Sequence, residues 1–475
     1  MTRGVRHYRI APGVTAITLV LCFAPPAAAQ SVQELQRQID ELKTMVRQLQ
    51  QEAQQRTPAT ALATPPATTP APPQVAEIPP PRPMMTGPAQ VAVAPPQRKA
   101  WYDRLRLRGY TQMRLNETIS GGDLDIPSGS RLRSVHDGGV TETGNFTFRR
   151  LRIVLEGRVS DDVSIYIQPD FATRVGGQSV GEPREGFGQI RDAYADWFPD
   201  KEHRLRLRFG QSKVPFGWEN LQSSSNRLTL DRSDGINSAV PSERELGIVA
   251  YYTPTSVQRI WDRLADAGQK LFGNYGAFGV GVFNGQGINR VEVNNDLMTV
   301  AMATWPVELA NGQVVEFGGA LLRNRVQPEI RTGGTSPTAF RDERVGLHAM
   351  LYPQPFGIQA EWNWGRGPEF DTRLGAITTR PLDGGYIQTM WRVGHSPLGT
   401  FMPYARWQRY RGGWKAAINA PRLATNELEL GIEFQPIAPL ELTLAYSRMH
   451  RQEADERRIG RAEGSLIRTQ LQFNY

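Results

Sequence analysis

From Trp101 to Tyr475 the chain repeats one pattern about sixteen times: apolar and polar residues alternate over segments of about ten residues. Side chains alternate across an extended strand, so each segment has one greasy face and one polar face. In Arg104–Leu115, Leu105, Leu107, Met113 and Leu115 share one face, and Arg106, Arg108, Tyr110, Gln112 and Arg114 share the other. Leu151, Ile153 and Leu155 oppose Arg150, Arg152, Glu156 and Arg158 in the same way, and Leu428, Leu430, Ile432 and Phe434 oppose Glu427, Glu429 and Glu433. Strand starts are predicted near residues 104, 147, 163, 189, 204, 245, 275, 297, 314, 343, 357, 386, 400, 426, 440 and 465. The strands near 297, 314 and 400 are ambiguous in face. So much alternation in water would leave half of each strand as an aggregation surface. The alternative that satisfies it is a sheet closed into a cylinder with lipid outside, an all-β sixteen-stranded antiparallel transmembrane β-barrel.

Hydrophobic residues make up 39% of the 475, and mean hydropathy is −0.44. No apolar run after residue 30 reaches the roughly 20 residues a membrane helix needs, which excludes a helical membrane protein and leaves a barrel open. The connections add an independent signal. Short turns at 160–162, 353–355 and 436–439 alternate with polar loops at 117–145, 211–244, 324–342, 366–385 and 451–463. Barrels of the outer membrane have short periplasmic turns and long outer loops. Aromatic residues (Trp197, Trp305, Trp391, Trp407, Phe473 and Tyr475) read as interfacial girdles at strand ends. One connection departs from the rule. At 254–273 a short turn is due, yet Val257, Ile260, Leu264, Ala267 and Leu271 recur at helical spacing, which predicts an amphipathic helix at the periplasmic mouth, more often a packing element than a plug.

The first hundred residues read as three further segments. Residues 1–29 carry Arg3, Arg6 and Arg9, an apolar run from Val14 to Phe23 and Ala27-Ala28-Ala29, the pattern of a secretory signal. The single cysteine, Cys22, falls inside it, so thiolate and disulfide chemistry are not expected of the mature chain. In 30–56, Val32, Leu35, Ile39, Leu42, Val46 and Leu49 form a heptad seam, which leans toward a two-stranded coiled coil in the periplasm, with a lone amphipathic helix as the alternative. Residues 57–100 are rich in Pro, Ala and Thr and read as an extended linker to the barrel at 101–475.

The stretch Phe146 to Asp170 resembles the phosphate-selective porin O and P family. So do Arg191-Asp192-Ala193-Tyr194-Ala195-Asp196 and Phe209-Gly210-Gln211-Ser212-Lys213-Val214-Pro215-Phe216-Gly217, with Glu219-Asn220-Leu221 and Ser223-Ser224-Ser225 after it. Asp231-Arg232-Ser233, Glu243-Arg244-Glu245-Leu246-Gly247 and Gly281-Val282-Phe283-Asn284-Gly285 continue the likeness. The resemblance implies a sixteen-stranded outer-membrane channel built as a homotrimer, hence three copies of the N-terminal helix. It names the architecture more securely than the solute.

The formal charge is +8, carried by arginine. An anion entering a narrow pore needs its charge compensated, and guanidinium offers paired donors to two oxygens of an oxyanion. By parity Arg106, Arg108, Arg114, Arg150, Arg152, Arg158, Arg204, Arg206 and Arg208 point inward, joined by Arg344, Arg392 and Arg468. Lys213, Arg227 and Arg232 lie in the 211–244 loop, whose length suits folding into the lumen; for Lys213 a plain surface charge is the competing reading. Arg149 has the opposite parity and either faces lipid phosphates or is turned inward by a bulge. These residues predict passive diffusion of small, phosphate-like anions without a cofactor.

Two alternatives stand beside that expectation. Glu156, Asp170, Asp192, Asp196, Glu427, Glu429, Glu433 and Glu441 share the inner wall. Arginines paired with them would make a general diffusion pore with a weak anion preference. The barrel could instead anchor a coiled coil that touches peptidoglycan through 31–56. Outer-membrane lipid and lipopolysaccharide are expected around the barrel, and nucleic acid is not an expected partner. An enzyme is the weakest reading. The histidines His136, His203, His348, His395 and His450 form no recognised motif with a nucleophile, and no metal-ligand spacing occurs.

Overall fold

The computed structural model describes residues 100–122, 140, 144–174, 185–273, 275–457 and 459–475. The signal, coiled-coil and linker segments expected at 1–29, 30–56 and 57–100 lie outside the described residues, apart from Ala100, and so does His136.

Among the described residues the strands are β1 (Leu105–Gly122), β2 (Asn145–Arg158), β3 (Val163–Arg174), β4 (Glu185–Trp197), β5 (Leu205–Lys213) and β6 (Arg244–Tyr252). They continue with β7 (Phe278–Phe283), β8 (Met298–Glu308), β9 (Val314–Val326), β10 (Phe340–Leu351), β11 (Phe356–Asp371) and β12 (Ala376–Trp391). The last are β13 (Val393–Ser396), β14 (Gly399–Gly413), β15 (Arg422–Ile437), β16 (Leu440–Ala454) and β17 (Ile459–Asn474). β13 prolongs β12 past Arg392, so the barrel has sixteen staves. Each strand pairs antiparallel with its neighbours in sequence, and β17 returns to β1, with Tyr110 opposite Asn474 and Thr118 opposite Leu466. The sheet therefore has no open edge.

Alternation places the two faces as the sequence predicts. Leu107 is 73% exposed on the outside and Leu444 is 51% exposed, whereas Tyr110, Gln112, Arg114, Arg150 and Arg152 are buried inside. Trp197, Trp305, Trp391 and Tyr475 lie at the short-turn end, as a girdle requires. Trp407 does not: it sits in the middle of β14, facing out.

Two of the predicted loops are mostly strand. The turn between β11 and β12 is only 372–375, and that between β16 and β17 only 455–458. Their flanks looked like loop because strands of 15 or 16 residues outrun the roughly 9–11 needed to cross lipid, and the overhang faces water.

The lumen is partly filled. Residues 214–243, with the short helices α1 (Trp218–Leu221) and α2 (Asp234–Ala239), fold inward and are almost wholly buried. The amphipathic helix is α3 (Thr255–Asp266), ended by Gly268 at φ 68°, the left-handed conformation that glycine adopts freely. The helix does not merely rest at the mouth. Val257, Trp261 and Leu264 are buried in one apolar cluster with Trp218, Phe272, Val300, Met350 and Met402, which occupies the β6–β14 side of the lumen.

Candidate functional site: the residual channel

What stays open runs along the β1–β6 wall. At the short-turn end lies a chamber of about 850 Å³, lined among others by Arg106, Arg108, Arg158, Arg206, Arg208 and Arg244. Counting Arg104 and Lys213, eight basic residues meet four acidic ones (Asp103, Glu156, Asp192 and Asp196), an excess of four positive charges. Toward the loop end a second chamber of about 330 Å³ is lined by Arg149, Arg150, Arg152, Arg191 and Arg232 against Asp170 and Glu243, an excess of three.

Several arginines are neutralised. Arg108 grips Glu156 through two hydrogen bonds of 2.8 and 2.9 Å, and Arg208 grips Asp196 through two of 2.8 Å. Arg152 Nε reaches Asp170 at 2.7 Å, and Arg244 reaches Asp192 at 2.8 Å. Such pairing follows from desolvation: a guanidinium buried beside no anion costs several kcal/mol. Among the described residues four arginines stand outside the scheme: Arg158 bonds only His203 and the Asp161 carbonyl, Arg191 only Gln189 and the Ser242 carbonyl, and two more face the chambers. Arg150, 6% exposed, donates Nη1 to Gln112 at 2.7 Å and has no carboxylate partner among the described residues. Arg106 likewise has no ion pair among the described residues, and its side chain faces the larger chamber. Stacked aromatic rings stiffen this wall: Tyr166 and Tyr194 lie 5.1 Å apart, and the Arg208 guanidinium sits 3.7 Å over Tyr194.

Other predicted site residues serve the inward loop. Arg114 and Arg468 are fully buried and converge on Asp231 at 3.3 and 2.8 Å, so they tie 214–243 to the β1–β17 wall instead of lining the channel. Lys213 borders the larger chamber, but its ammonium is engaged by the protein's own backbone. Its Nζ donates to the carbonyls of Asn220, Leu221 and Gln222 at 3.1, 3.3 and 2.6 Å and closes the C-terminus of α1. Arg227 and Arg232 approach Glu243 at 3.8 and 3.0 Å. Burial alone would raise the Glu243 carboxyl, but Lys213, Arg232, Arg244 and Arg227 around it hold it well below the usual carboxylate range. Burial lowers the Arg232 guanidinium to about 10, with Glu243 opposing. Arg344 donates to Asp342 and to Ser238 of α2.

Two predicted positions lie at the short-turn rim and not along the channel. Arg204 precedes β5 in an exposed turn, 3.5 Å from Asp200 and 3.4 Å from Glu202, because the chain turns before the alternation begins. Arg392 interrupts β12 and β13 and donates to the Ala267 carbonyl at 2.7 Å.

Four further arginines lie inside the barrel, and for Arg149 the bulge is the one of its two expected placements that is observed. Arg149 and Arg191 are turned inward by β-bulges: Gln112 pairs with Arg150 while Met113 pairs with Phe148, and Gln168 pairs with Asp192 while Pro169 pairs with Ile190. Arg149 reaches Asp231 at 3.4 Å. The adjacent pairs Arg149-Arg150 and Arg191-Asp192 are the only trace of the bulges in the sequence. Arg244 opens β6 where the strand face is not yet established. Arg406, on the strand of ambiguous face, holds Glu219 of α1 at 2.8 Å.

A strap follows α3. Lys270 reaches across to Glu433 of β15 at 2.9 Å and Glu441 of β16 at 3.4 Å. Asn226 of the inward loop donates to the Leu271 carbonyl at 2.8 Å, and Gln269 to the Pro353 carbonyl at 2.8 Å. One buried carboxylate, Glu316 of β9, then joins loop, helix and wall. It accepts from Trp218 Nε1 (3.2 Å), Trp261 Nε1 (2.9 Å), Thr304 Oγ1 (2.8 Å) and Tyr352 Oη (2.9 Å).

Among solved structures, the outer membrane channel DcaP of Acinetobacter baumannii is 14% identical, with 78% of this chain and 97% of that one covered and a TM-score of 0.47. OmpF of Salmonella typhi is 11% identical over 78% and 97%, with a TM-score of 0.48. An anion-selective porin from Comamonas acidovorans is 9% identical over 78% and 99%, with a TM-score of 0.44. No curated protein matches the sequence. The family of phosphate-selective porins O and P matches residues 130–336 and 322–475, most of the barrel. The chain belongs to that family and is an outer-membrane porin.

Proposed function

We propose that the barrel passes small anions, phosphate-like oxyanions among them, by diffusion along the β1–β6 wall. The observation that carries this is the surplus of guanidinium over carboxylate in both chambers, where Arg106, Arg150, Arg158 and Arg191 have no carboxylate partner among the described residues. A guanidinium with a partner has little field to offer, whereas one without attracts an ion that has shed part of its water. Bidentate contact suits an oxyanion better than chloride.

The second reading is a general diffusion pore with a weak anion preference. The ion pairs at Arg108, Arg152, Arg208 and Arg244 favour it. Reversal potentials across a planar bilayer in a KCl gradient test the anion reading, and cation selectivity would discard it. Phosphate block of the chloride current separates the two readings. In the selective pore, Arg106→Glu with Arg150→Glu weakens block and moves the reversal potential toward cations.

The assembly is proposed as a homotrimer, with residues 30–56 as a periplasmic coiled coil on the 57–100 tether. Deleting 31–100 tests the tether: lost envelope integrity at unchanged conductance supports a peptidoglycan contact.

A further inference from the structure

The outer surface of the barrel is not uniform. On β1–β6 the outward residues Leu107, Phe148, Ile167, Ile190, Phe209 and Ile248 are apolar and exposed. On β14–β17 the outward face changes character along the strands. Register aligns it in rows perpendicular to the chain. One row is Phe401, Phe434, Leu442 and Leu471, and another is Ala405, Leu430, Tyr446 and Ile467. The next row is Trp407, Leu428, Arg448 and Ser465, then Arg409, Asn426, His450 and Glu463, then Arg411, Ala424, Gln452 and Arg461. The two last rows enclose an outward groove of about 450 Å³.

Depth follows from strand length. Phe401 and Phe434 stack at 4.4 Å near the short-turn end and mark the inner interface. About 9–11 tilted residues cross the hydrocarbon, so counting from Phe401 places the outer boundary at Arg409 to Arg411. Trp407, displaced from the strand end, lies where an outer aromatic girdle belongs. The groove therefore lies at the level of the outer-leaflet headgroups.

Its charges are only partly consumed within the protein. Arg461 pairs with Glu463, which also lies 3.4 Å from His450 Nδ1. Arg448 donates to Ser465 at 3.4 Å. Arg409 and Arg411 make no hydrogen bond or ion pair among the described residues. Five cationic or protonatable groups against one carboxylate have no reason to face hydrocarbon, where a charge costs roughly 2–4 kcal/mol at the midplane and little at the interface.

We infer that the β14–β17 groove binds the phosphorylated headgroup of an outer-leaflet glycolipid, the chemistry lipopolysaccharide presents, with Arg409, Arg411 and Arg461 as phosphate ligands. Guanidinium forks match phosphate oxygens two by two, and the apolar rows below accept the acyl chains. The site faces away from the lumen and is independent of what the pore carries.

The test uses the full barrel, purified in detergent. A synthetic diphosphorylated glucosamine lipid, its dephosphorylated counterpart and inorganic phosphate are each added, and bound ligand is read by native mass spectrometry. The wild type retains the diphosphorylated lipid. Arg409→Gln/Arg411→Gln/Arg461→Gln loses at least about tenfold in occupancy, since each charge-assisted contact is worth on the order of a factor of ten. Conductance in bilayers stays as in the wild type, and the corresponding triple Lys variant recovers most of the binding. Equal occupancy in the Gln variant overturns the proposal. So does equal retention of the dephosphorylated lipid, or competition by inorganic phosphate alone. A Gln variant that keeps its lipid but dissociates into protomers would assign the groove to a subunit interface.

Discussion

Asp231→Asn is the sharpest perturbation of the inward loop. The Asp231 carboxylate is 1% exposed and lies 2.8 Å from Arg468 and 3.3 Å from Arg114, both fully buried, with Arg149 at 3.4 Å. The amide keeps the shape and removes the charge. Arg114, Arg149 and Arg468 then lose the carboxylate they share here, and breaking a buried pair from one side costs about 3–5 kcal/mol. Glu429, 3.9 Å from Arg468, recovers part of that. Even the lower figure shifts an attached-to-detached equilibrium by roughly a hundredfold. The segment around 223–233 then leaves the β1–β17 wall, while α1 stays held by Arg406 on Glu219. Single-channel recording in concentrated KCl reads the result as higher mean conductance and larger open-channel noise. Wild-type conductance and noise from a heat-modifiable, folded barrel would refute the anchoring role of Asp231.

The strap and the loop supply further predictions. Glu316→Leu leaves the Trp218, Trp261 and Tyr352 donors unpaired, at about 1–3 kcal/mol for each buried group left so, while Thr304 keeps its contact with His348. Conductance from the short-turn side should rise, measured against the wild type at both voltage polarities. Lys270→Met strands Glu433 and Glu441 and should release the strap, seen as faster trypsin cleavage after Arg263 in detergent. The Lys270 ammonium is desolvated by burial, yet Glu433 and Glu441 raise it above its ordinary value, so it stays charged at neutral pH and its contribution fades as pH rises into strong alkali. For Glu243 the sign is opposite. Its depressed carboxyl contributes stability above the ordinary carboxylate value, and that contribution disappears only as pH falls below it. Conductance should stay level from pH 8 to about 5 and become noisy only in stronger acid; noise that begins near pH 6 would exclude Glu243 as the cause.

Period-two alternation was enough to place lipid and lumen faces at Leu107, Leu151, Arg150 and Arg152, because a strand admits no other geometry. It located the β-barrel, most strand starts and the helix after β6. It left Arg149 open between lipid and a bulge and did not place Arg191 inside, since a bulge adds one residue and inverts the parity that carried the inference. The overhangs of β11, β12, β16 and β17 read as loop because strand beyond the lipid has no reason to be greasy.

Local pattern thus determines the cylinder and the kind of charge inside it, since pleat and lipid act residue by residue. Which arginines keep a field is decided across the sheet. Arg108 and Glu156 are neighbours only through the β1–β2 register, and Arg114 meets Asp231 only because a loop 117 residues away crosses the lumen. Charge pairing is a property of distance in space, and that distance exists only once the barrel has closed and its lumen has been filled.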